Sequence, residues 1–258
     1  MSVGLINWSG HKNLGDDAMT DVLLRTIPGA VNMKEEPWEA DWYVLGGGTL
    51  IAPQSLFPGR LPNPEKTIGI SLGVSCNWQG ENADILRRMK RIYTRDYFSH
   101  QRLLNHRIPN ILSVDLLCYL ESEPPPVTDG IWANLMFAPE SVNMGHRDEL
   151  FRTLHQLELD QSVNYFAMSP DEDLNTKPNA YVYTDAQVLI NDLQGAKKVY
   201  ATRLHANVCA WVAGVKDIVS LSYDPKIDHF FERVKGLTPH GARKIIREHL
   251  DEICELVS

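Results

Sequence analysis

Short apolar runs alternate along this chain with stretches in which apolar residues recur every three or four positions, the pattern of strands alternating with helices. Val3-Gly4-Leu5-Ile6-Asn7-Trp8 predicts a first strand, and Ser9 to Asp16 is a polar, glycine-bearing loop. Met19, Val22, Leu23 and Ile27 then share one helical face, which predicts a helix over 17–27. The same reading predicts strands at 41–45, 67–74, 92–94 and 110–114, with helices over 83–90 and 97–105. Glu121 to Gly130, with Pro124, Pro125 and Pro126 in succession, can continue neither a helix nor a central strand. It reads as a stiff connector dividing the chain into residues 1–123 and 124–258. Beyond it the pattern restarts, with strands at 131–137, 163–168, 181–183, 198–201 and 217–222 and helices over 147–157, 186–193, 203–212, 226–234 and 241–257. Such alternation implies parallel sheets covered on both faces. The expected architecture is α/β, two βα halves facing a central cleft, the usual place for a ligand.

Composition narrows the classes of ligand. A length of 258 residues with 43% hydrophobic content supports a sizeable core, in one large domain or two small ones. The formal charge of -8 argues against a general nucleic-acid or anionic-membrane binder, since both need a basic face. An anionic ligand must therefore be held by a few locally placed basic groups. Cys76, Cys118, Cys209 and Cys254 lie far apart and form no Cys-x-x-Cys pair, so they read as reduced thiols of a cytoplasmic protein. The histidines show no ligand spacing, and no metal is expected. No signal-peptide pattern opens the chain, and no run approaches the roughly 18 apolar residues of a membrane span.

Chemistry is concentrated at the turns that follow strands. Lys198-Val199-Tyr200-Ala201 is a buried strand, Thr202 a turn, and Arg203-Leu204-His205 the start of a helix. A helix N-terminus carries partial positive charge, so a cation there costs a few tenths of a kcal/mol up to about 1. Either a bound anion or an ion pair across a domain interface compensates Arg203. Lys226, in Ser222-Tyr223-Asp224-Pro225-Lys226 after the next strand, lies at the same sheet edge or is a surface lysine at a helix start. In Asn13-Leu14-Gly15-Asp16-Asp17, one aspartate caps the following helix; the other either faces the cleft as a base or hydrogen-bond acceptor or has a purely structural role. Gly46-Gly47-Gly48-Thr49 ends a strand without matching any nucleotide-binding fingerprint; close packing and close ligand approach both suit it. Arg95-Asp96, after another strand, reads chiefly as an internal ion pair.

Taken together and in this order, Asn-x-Gly-Asp at 13–16, Gly-Gly-Gly-Thr-Leu at 46–50, Arg-Leu-His-Ala at 203–206 and Ser-Tyr-Asp-Pro-Lys at 222–226 resemble the polysaccharide pyruvyl transferase family. The resemblance implies a double Rossmann, glycosyltransferase-like fold and a role in polysaccharide biosynthesis at the cell envelope. It implies transfer of a pyruvyl group from phosphoenolpyruvate to two hydroxyls of a sugar or glycan acceptor, free or lipid-linked, giving a cyclic ketal and phosphate without a further cofactor. It places Arg203 and His205 on phosphoenolpyruvate, with Tyr223 and Lys226 nearby. Asn13, Gly15, Asp16, Asp17, Gly46, Gly47, Gly48, Thr49 and Arg95 would lie on the substrate-facing side. Many members carry an arginine at the end of the first strand of the second domain, whereas Trp132 to Pro139 contains none here. A nucleotide-sugar glycosyltransferase and a non-catalytic carbohydrate- or anion-binding relative are the alternatives for the same architecture.

Overall fold

In the computed structural model, residues 1–34, 39–53, 58–122, 130–136, 148, 152–153, 155–157, 159, 163–221 and 224–258 are described. Contacts group the chain into two units, Met1–Gly10 with Asp16–Tyr119 and His229–Ser258, and His11–Gly15 with Leu120–Asp228. Most of the proline-bearing connector, 123–129, lies outside the described residues. In this grouping His229–Ser258, with the last helix, falls in the first unit and His11–Gly15 in the second.

The first unit contains β1 Val3–Ile6, α1 Leu14–Thr26 from Asp16 onward, β2 Ala30–Asn32, β3 Trp42–Gly46, β4 Thr67–Leu72, α2 Ala83–Arg88, β5 Arg91–Thr94, α3 Tyr97–Asn105 and β6 Ile111–Leu112. Its sheet is parallel in the order β2-β1-β3-β4-β5-β6. Every residue of β4 is buried, as a central strand covered on both faces requires.

The second unit contains β7 Ile131–Asn134, β8 Val163–Ala167, the short helix α4 Pro170–Asp173, β9 Tyr181–Val182, α5 Ala186–Leu193, β10 Lys198–Ala201, α6 Leu204–Val212 and β11 Ile218–Ser220. Its parallel sheet runs β11-β10-β7-β8-β9. Helix α7 Pro225–Val234 follows and crosses the division between the units.

The return of the last helix, α8 Pro239–Val257, has a packing cause. Ala242, Ile246, Leu250, Ile253 and Val257 form one buried stripe at helical spacing. The 3-10 turn Leu116–Tyr119, where Leu116, Leu117 and Cys118 are buried, packs with this helix. Polar contacts fix the register: Tyr93 Oη donates to Glu252 Oε2 at 2.6 Å, and His249 Nδ1 lies 2.8 Å from Ser113 Oγ. Thr238 caps the helix by accepting from Gly241 N, with Pro239 in its first turn.

The fold is thus α/β with two Rossmann-like parallel sheets, one per unit. The four cysteines are free thiols, and no helix among the described residues is long and apolar enough to cross a membrane.

Candidate functional site

In the second sheet, β8 lies on one side of β7 and β10 on the other, so the order in which strands are added reverses between β7 and β10. The carboxyl edge at such a switch point is where open α/β sheets bind ligands. Here the loops are tied together: Thr202 N donates to Asn134 O at 3.0 Å, and Met136 N to Thr202 Oγ1 at 2.9 Å. Arg203 follows directly. It is the extended N-cap residue of α6 rather than its first helical residue, and its side chain makes no capping bond.

The Arg203 guanidinium turns instead to two acids of α4. Nε donates to Asp173 Oδ1 at 2.7 Å, and Nη2 pairs with Glu172. Both partners belong to the second unit. The ion pair across a domain interface left open by the sequence is therefore an ion pair inside one unit. Burial opposes the charge on Arg203, yet the Asp173 and Glu172 carboxylates outweigh it and raise its pKa above the ordinary value. Asp173 is the hub. Its Oδ2 accepts from Asn134 Nδ2 at 2.9 Å, Met168 N at 2.7 Å and Ser169 N at 3.2 Å. Glu172 differs, with a side chain 60% exposed against 1% for Asp173.

His205 stands one turn position further on, against Gly15. A Cβ on residue 15 would fall into the imidazole ring of His205, so only glycine lets the two approach. The segment carrying Gly15 is held in place by Leu14 N donating to Met168 O at 2.8 Å. The structure thus brings Gly15 and His205, from opposite ends of the sequence, together within the second unit.

Helix α1 begins at Leu14, three residues before the start expected from its apolar spacing. Asn13 provides the local reason, since its Oδ1 accepts from Gly15 N at 3.2 Å in the manner of an N-cap. Neither aspartate is the cap. Asp16 and Asp17 occupy the first turn, where the helix dipole favours acids. Asp17 Oδ1 accepts from Gly10 N at 2.7 Å and braces the preceding loop.

Lys226 is engaged locally: its amide donates to Asp224 Oδ1 at 3.0 Å and its Nζ lies 3.1 Å from Asp224 Oδ2. No contact among the described residues joins it to Arg203. Tyr223 lies outside the described residues.

In the first sheet the switch point lies between β1 and β3, whose register pairs Ile6 with Leu45. The glycine turn follows β3. Gly47 and Gly48 have φ of 66° and 82°, and a Cβ on Gly47 would lie 2.6 Å from Met19 Sδ. A Cβ on Gly46 would strike Leu23. Gly47 N donates to Ile70 O at 2.9 Å, so that amide serves the sheet rather than a ligand. Close packing under α1 thus accounts for Gly46 and Gly47. Gly48 faces Asp16, whose Oδ1 would lie 3.4 Å from an added Cβ.

Arg95 is buried behind this turn. Its Nη2 donates to Thr49 Oγ1 at 2.8 Å, its Nε lies 3.4 Å from Asp96 Oδ2, and its Nη1 lies 4.0 Å from Asp115 Oδ2. Gly73 makes room, since a Cβ there would sit 2.7 Å from the guanidinium carbon. Asp115 Oδ2 has no hydrogen-bond partner among the described residues, and burial raises its pKa although Arg95 opposes the shift. The internal ion pair expected for Arg95-Asp96 is present.

Four polar residues at these edges escape sequence reading: Asn134, Asp173, Asn207 and Asp115. Asn207 Nδ2 donates to Arg203 O at 2.7 Å, tying the first turn of α6. Ser169-Pro170 before Asp171-Glu172-Asp173 signals a helix start, but nothing local marks the third acid as the buried one. Among the described residues no cluster of His, Cys, Asp or Glu is arranged to hold a metal ion.

Comparison with known proteins adds three findings. The crystal structure of a functionally uncharacterised protein from Klebsiella pneumoniae subsp. pneumoniae NTUH-K2044 is similar, at 15% identity and a TM-score of 0.54, over 90% of this chain and 87% of that one. That likeness concerns the fold alone. No curated protein matches the chain. The family model described as polysaccharide pyruvyl transferase matches residues 13–225.

Proposed function

The chain belongs to the polysaccharide pyruvyl transferase family, and from that premise we propose that it transfers a pyruvyl group from phosphoenolpyruvate to two hydroxyls of a sugar in a polysaccharide or glycan precursor. The single observation that carries the donor side is the Arg203–His205 turn at the switch point of the second sheet, with its guanidinium anchored by a buried carboxylate.

The reaction adds both acceptor oxygens to the central carbon of the donor. A proton goes to the methylene carbon, which becomes the methyl group, and the first hydroxyl oxygen bonds to the central carbon as it loses its proton. The carbon–oxygen bond to phosphate then breaks, and phosphate departs with its bonding pair and one proton. The second hydroxyl closes the ketal on the resulting oxocarbenium carbon. Two hydroxyl protons are released overall, balancing one on the methyl group and one on phosphate.

Arg203 is the clamp on the donor's phosphate or carboxylate, and His205 is the proton donor or a hydrogen-bond donor to departing phosphate. Asp173 holds Arg203 from behind, while the exposed Glu172 gives way to the incoming anion. Exchange of this kind costs little, because an exposed ion pair is worth about 0–1 kcal/mol. Asp16 or Asp17, in the first turn of α1, is the base candidate for the acceptor hydroxyl.

Phosphate release measured with phosphoenolpyruvate and a panel of glycan acceptors tests this reading. Release is expected only when donor and acceptor are both present, and His205→Ala should lower it about 10²-fold or more. Turnover of a nucleotide sugar without any turnover of phosphoenolpyruvate would replace the reading with a glycosyltransferase.

A further inference from the structure

Charge is spread unevenly over the first unit. Between Ile85 and Val114 stand seven Lys or Arg residues against a single acid, Asp96, although the formal charge of the whole chain is -8. Arg95 and Asp96 are buried and paired with each other, so they add nothing to the surface. Arg87, Arg88, Lys90 and Arg107 are exposed. Helix α2 ends at Arg88, β5 begins at Arg91, and Lys90 N donates at 2.9 Å to the carbonyl of Thr67, the first residue of β4. Lys66, also exposed, immediately precedes that residue. The end of α3 comes to the same place, since Arg87 Nε donates to His106 O at 3.4 Å. These cations therefore gather at the amino edge of the first sheet, the edge opposite the glycine turn.

The acids near this edge are already engaged. Asp84 pairs with Arg87, Glu252 with Arg91, and Asp41 accepts from Ser2 N at 2.7 Å. Arg88, Lys90 and Arg107 have no carboxylate partner among the described residues. A cation in the last turn of a helix complements the helix dipole, which accounts for Arg87 and Arg88 of α2. Lys90 and Arg107 lie outside both helices, and Arg107 also breaks a local rule. It follows α3 in the left-handed conformation, φ 58°, with its N donating to Leu104 O at 2.8 Å and Ile108 N to Leu103 O at 3.0 Å. Glycine is the usual residue at that place. Two exposed aliphatic residues flank this arginine in the chain, Leu104 at 42% and Ile111 at 39%.

We propose that this edge docks the protein on an anionic membrane surface. Lys and Arg beside exposed aliphatic side chains suit a lipid interface, the charges meeting the headgroups and Leu104 and Ile111 the acyl boundary. Nucleic acid would meet the same cations but gives the two aliphatic side chains nothing to enter. The negative charge on the rest of the chain does not forbid docking, because exposed charges more than about 8 Å apart are largely screened at physiological ionic strength. The charge of the whole chain thus understates what one edge can bind. Docking by the amino edge leaves the carboxyl edge and its glycine turn uncovered. The inference does not depend on the transferase reading; with both in force, docking brings the enzyme to lipid-linked acceptors.

Sedimentation of the full chain with vesicles tests this, using phosphatidylcholine alone and phosphatidylcholine mixed with phosphatidylglycerol, each at low and high salt. Wild type should bind only the anionic vesicles and lose that binding in high salt. The double variant Arg88→Glu with Lys90→Glu should not bind. Arg107→Gly should bind about fivefold more weakly, the worth of one cation beside an anionic surface. Its urea midpoint should match or exceed that of wild type, because glycine suits the left-handed position, so this variant separates lost charge from lost folding. Failure of wild type to bind anionic vesicles, equal binding to neutral ones, or full binding by the double variant overturns the proposal. Retention on nucleic acid or an acidic polysaccharide without vesicle binding overturns it too, and assigns the edge to another polyanion. Phosphate release from soluble substrates should be unchanged in these variants and tests the transferase reading separately.

Discussion

Arg95 and Arg203 look alike from a distance: each follows a strand at a sheet's carboxyl edge, and each meets two carboxylates. The difference lies in those acids. Asp96 and Asp115 are both buried, so Arg95 has no partner that can leave. Arg203 has one buried partner, Asp173, and one exposed partner, Glu172. A guanidinium enclosed by buried acids is part of the core, whereas one held from behind and capped by an exposed acid can exchange that cap for a ligand. Arg95 therefore braces the glycine turn through Thr49, and Arg203 is the one we propose as the donor clamp.

The largest effect should come from breaking the enclosed pair. Arg95→Ala leaves Asp96 and Asp115 buried without their cation and should cost about 3–5 kcal/mol of stability. Arg203→Ala should cost less, about 1–3 kcal/mol, because Asp173 keeps its other three hydrogen bonds. Urea denaturation midpoints at equal m-values measure both. Equal losses would erase the distinction.

A smaller effect concerns pH. Burial lifts the Asp115 carboxyl above its ordinary value of 3.8, so the folded chain keeps a proton that the unfolded chain releases. Stability contributed by this group is present in acid and declines as pH rises from the ordinary carboxylate range through the raised folded value. Asp115→Asn should remove that decline, visible as a flatter plot of urea midpoint against pH than wild type gives. Coincident slopes would mean that Asp115 ionises normally in the folded chain.

The smallest effect belongs to Glu172. Glu172→Gln removes the exposed competitor for Arg203 and should tighten phosphoenolpyruvate binding about two- to fivefold, as a surface pair worth up to about 1 kcal/mol allows. Weaker binding, measured by calorimetry, would make Glu172 a substrate contact instead of a cap.

Much of this organisation is legible in the residues. The strand periodicity yields both parallel sheets, because fully buried strands such as Thr67–Leu72 and helices such as Pro239–Val257 write their packing into apolar spacing. The motifs at 13–17, 46–49 and 203–205 lie at switch points, as turns after strands must when chain order reverses there. What spacing cannot carry is partnership. The apolar stripe of the last helix says that it must be covered, not that Leu116–Tyr119 covers it. The sequence around Ser169–Asp173 shows several acids, and only the tertiary fold selects Asp173 as the anchor of Arg203. The start of α1 at Leu14 was hidden because Asn13 caps from inside a polar loop that has no apolar period.

Thermal unfolding of wild type and Arg203→Ala, each with phosphoenolpyruvate, a nucleotide sugar and inorganic phosphate in turn, addresses the role of the Arg203 turn most directly. Phosphoenolpyruvate at about 100 times its dissociation constant should stabilise wild type by about 2.7 kcal/mol, and Arg203→Ala should lose that gain while still unfolding cooperatively. Stabilisation by a nucleotide sugar and none by phosphoenolpyruvate, or full retention of the gain in Arg203→Ala, would contradict the assignment of Arg203 as the donor clamp.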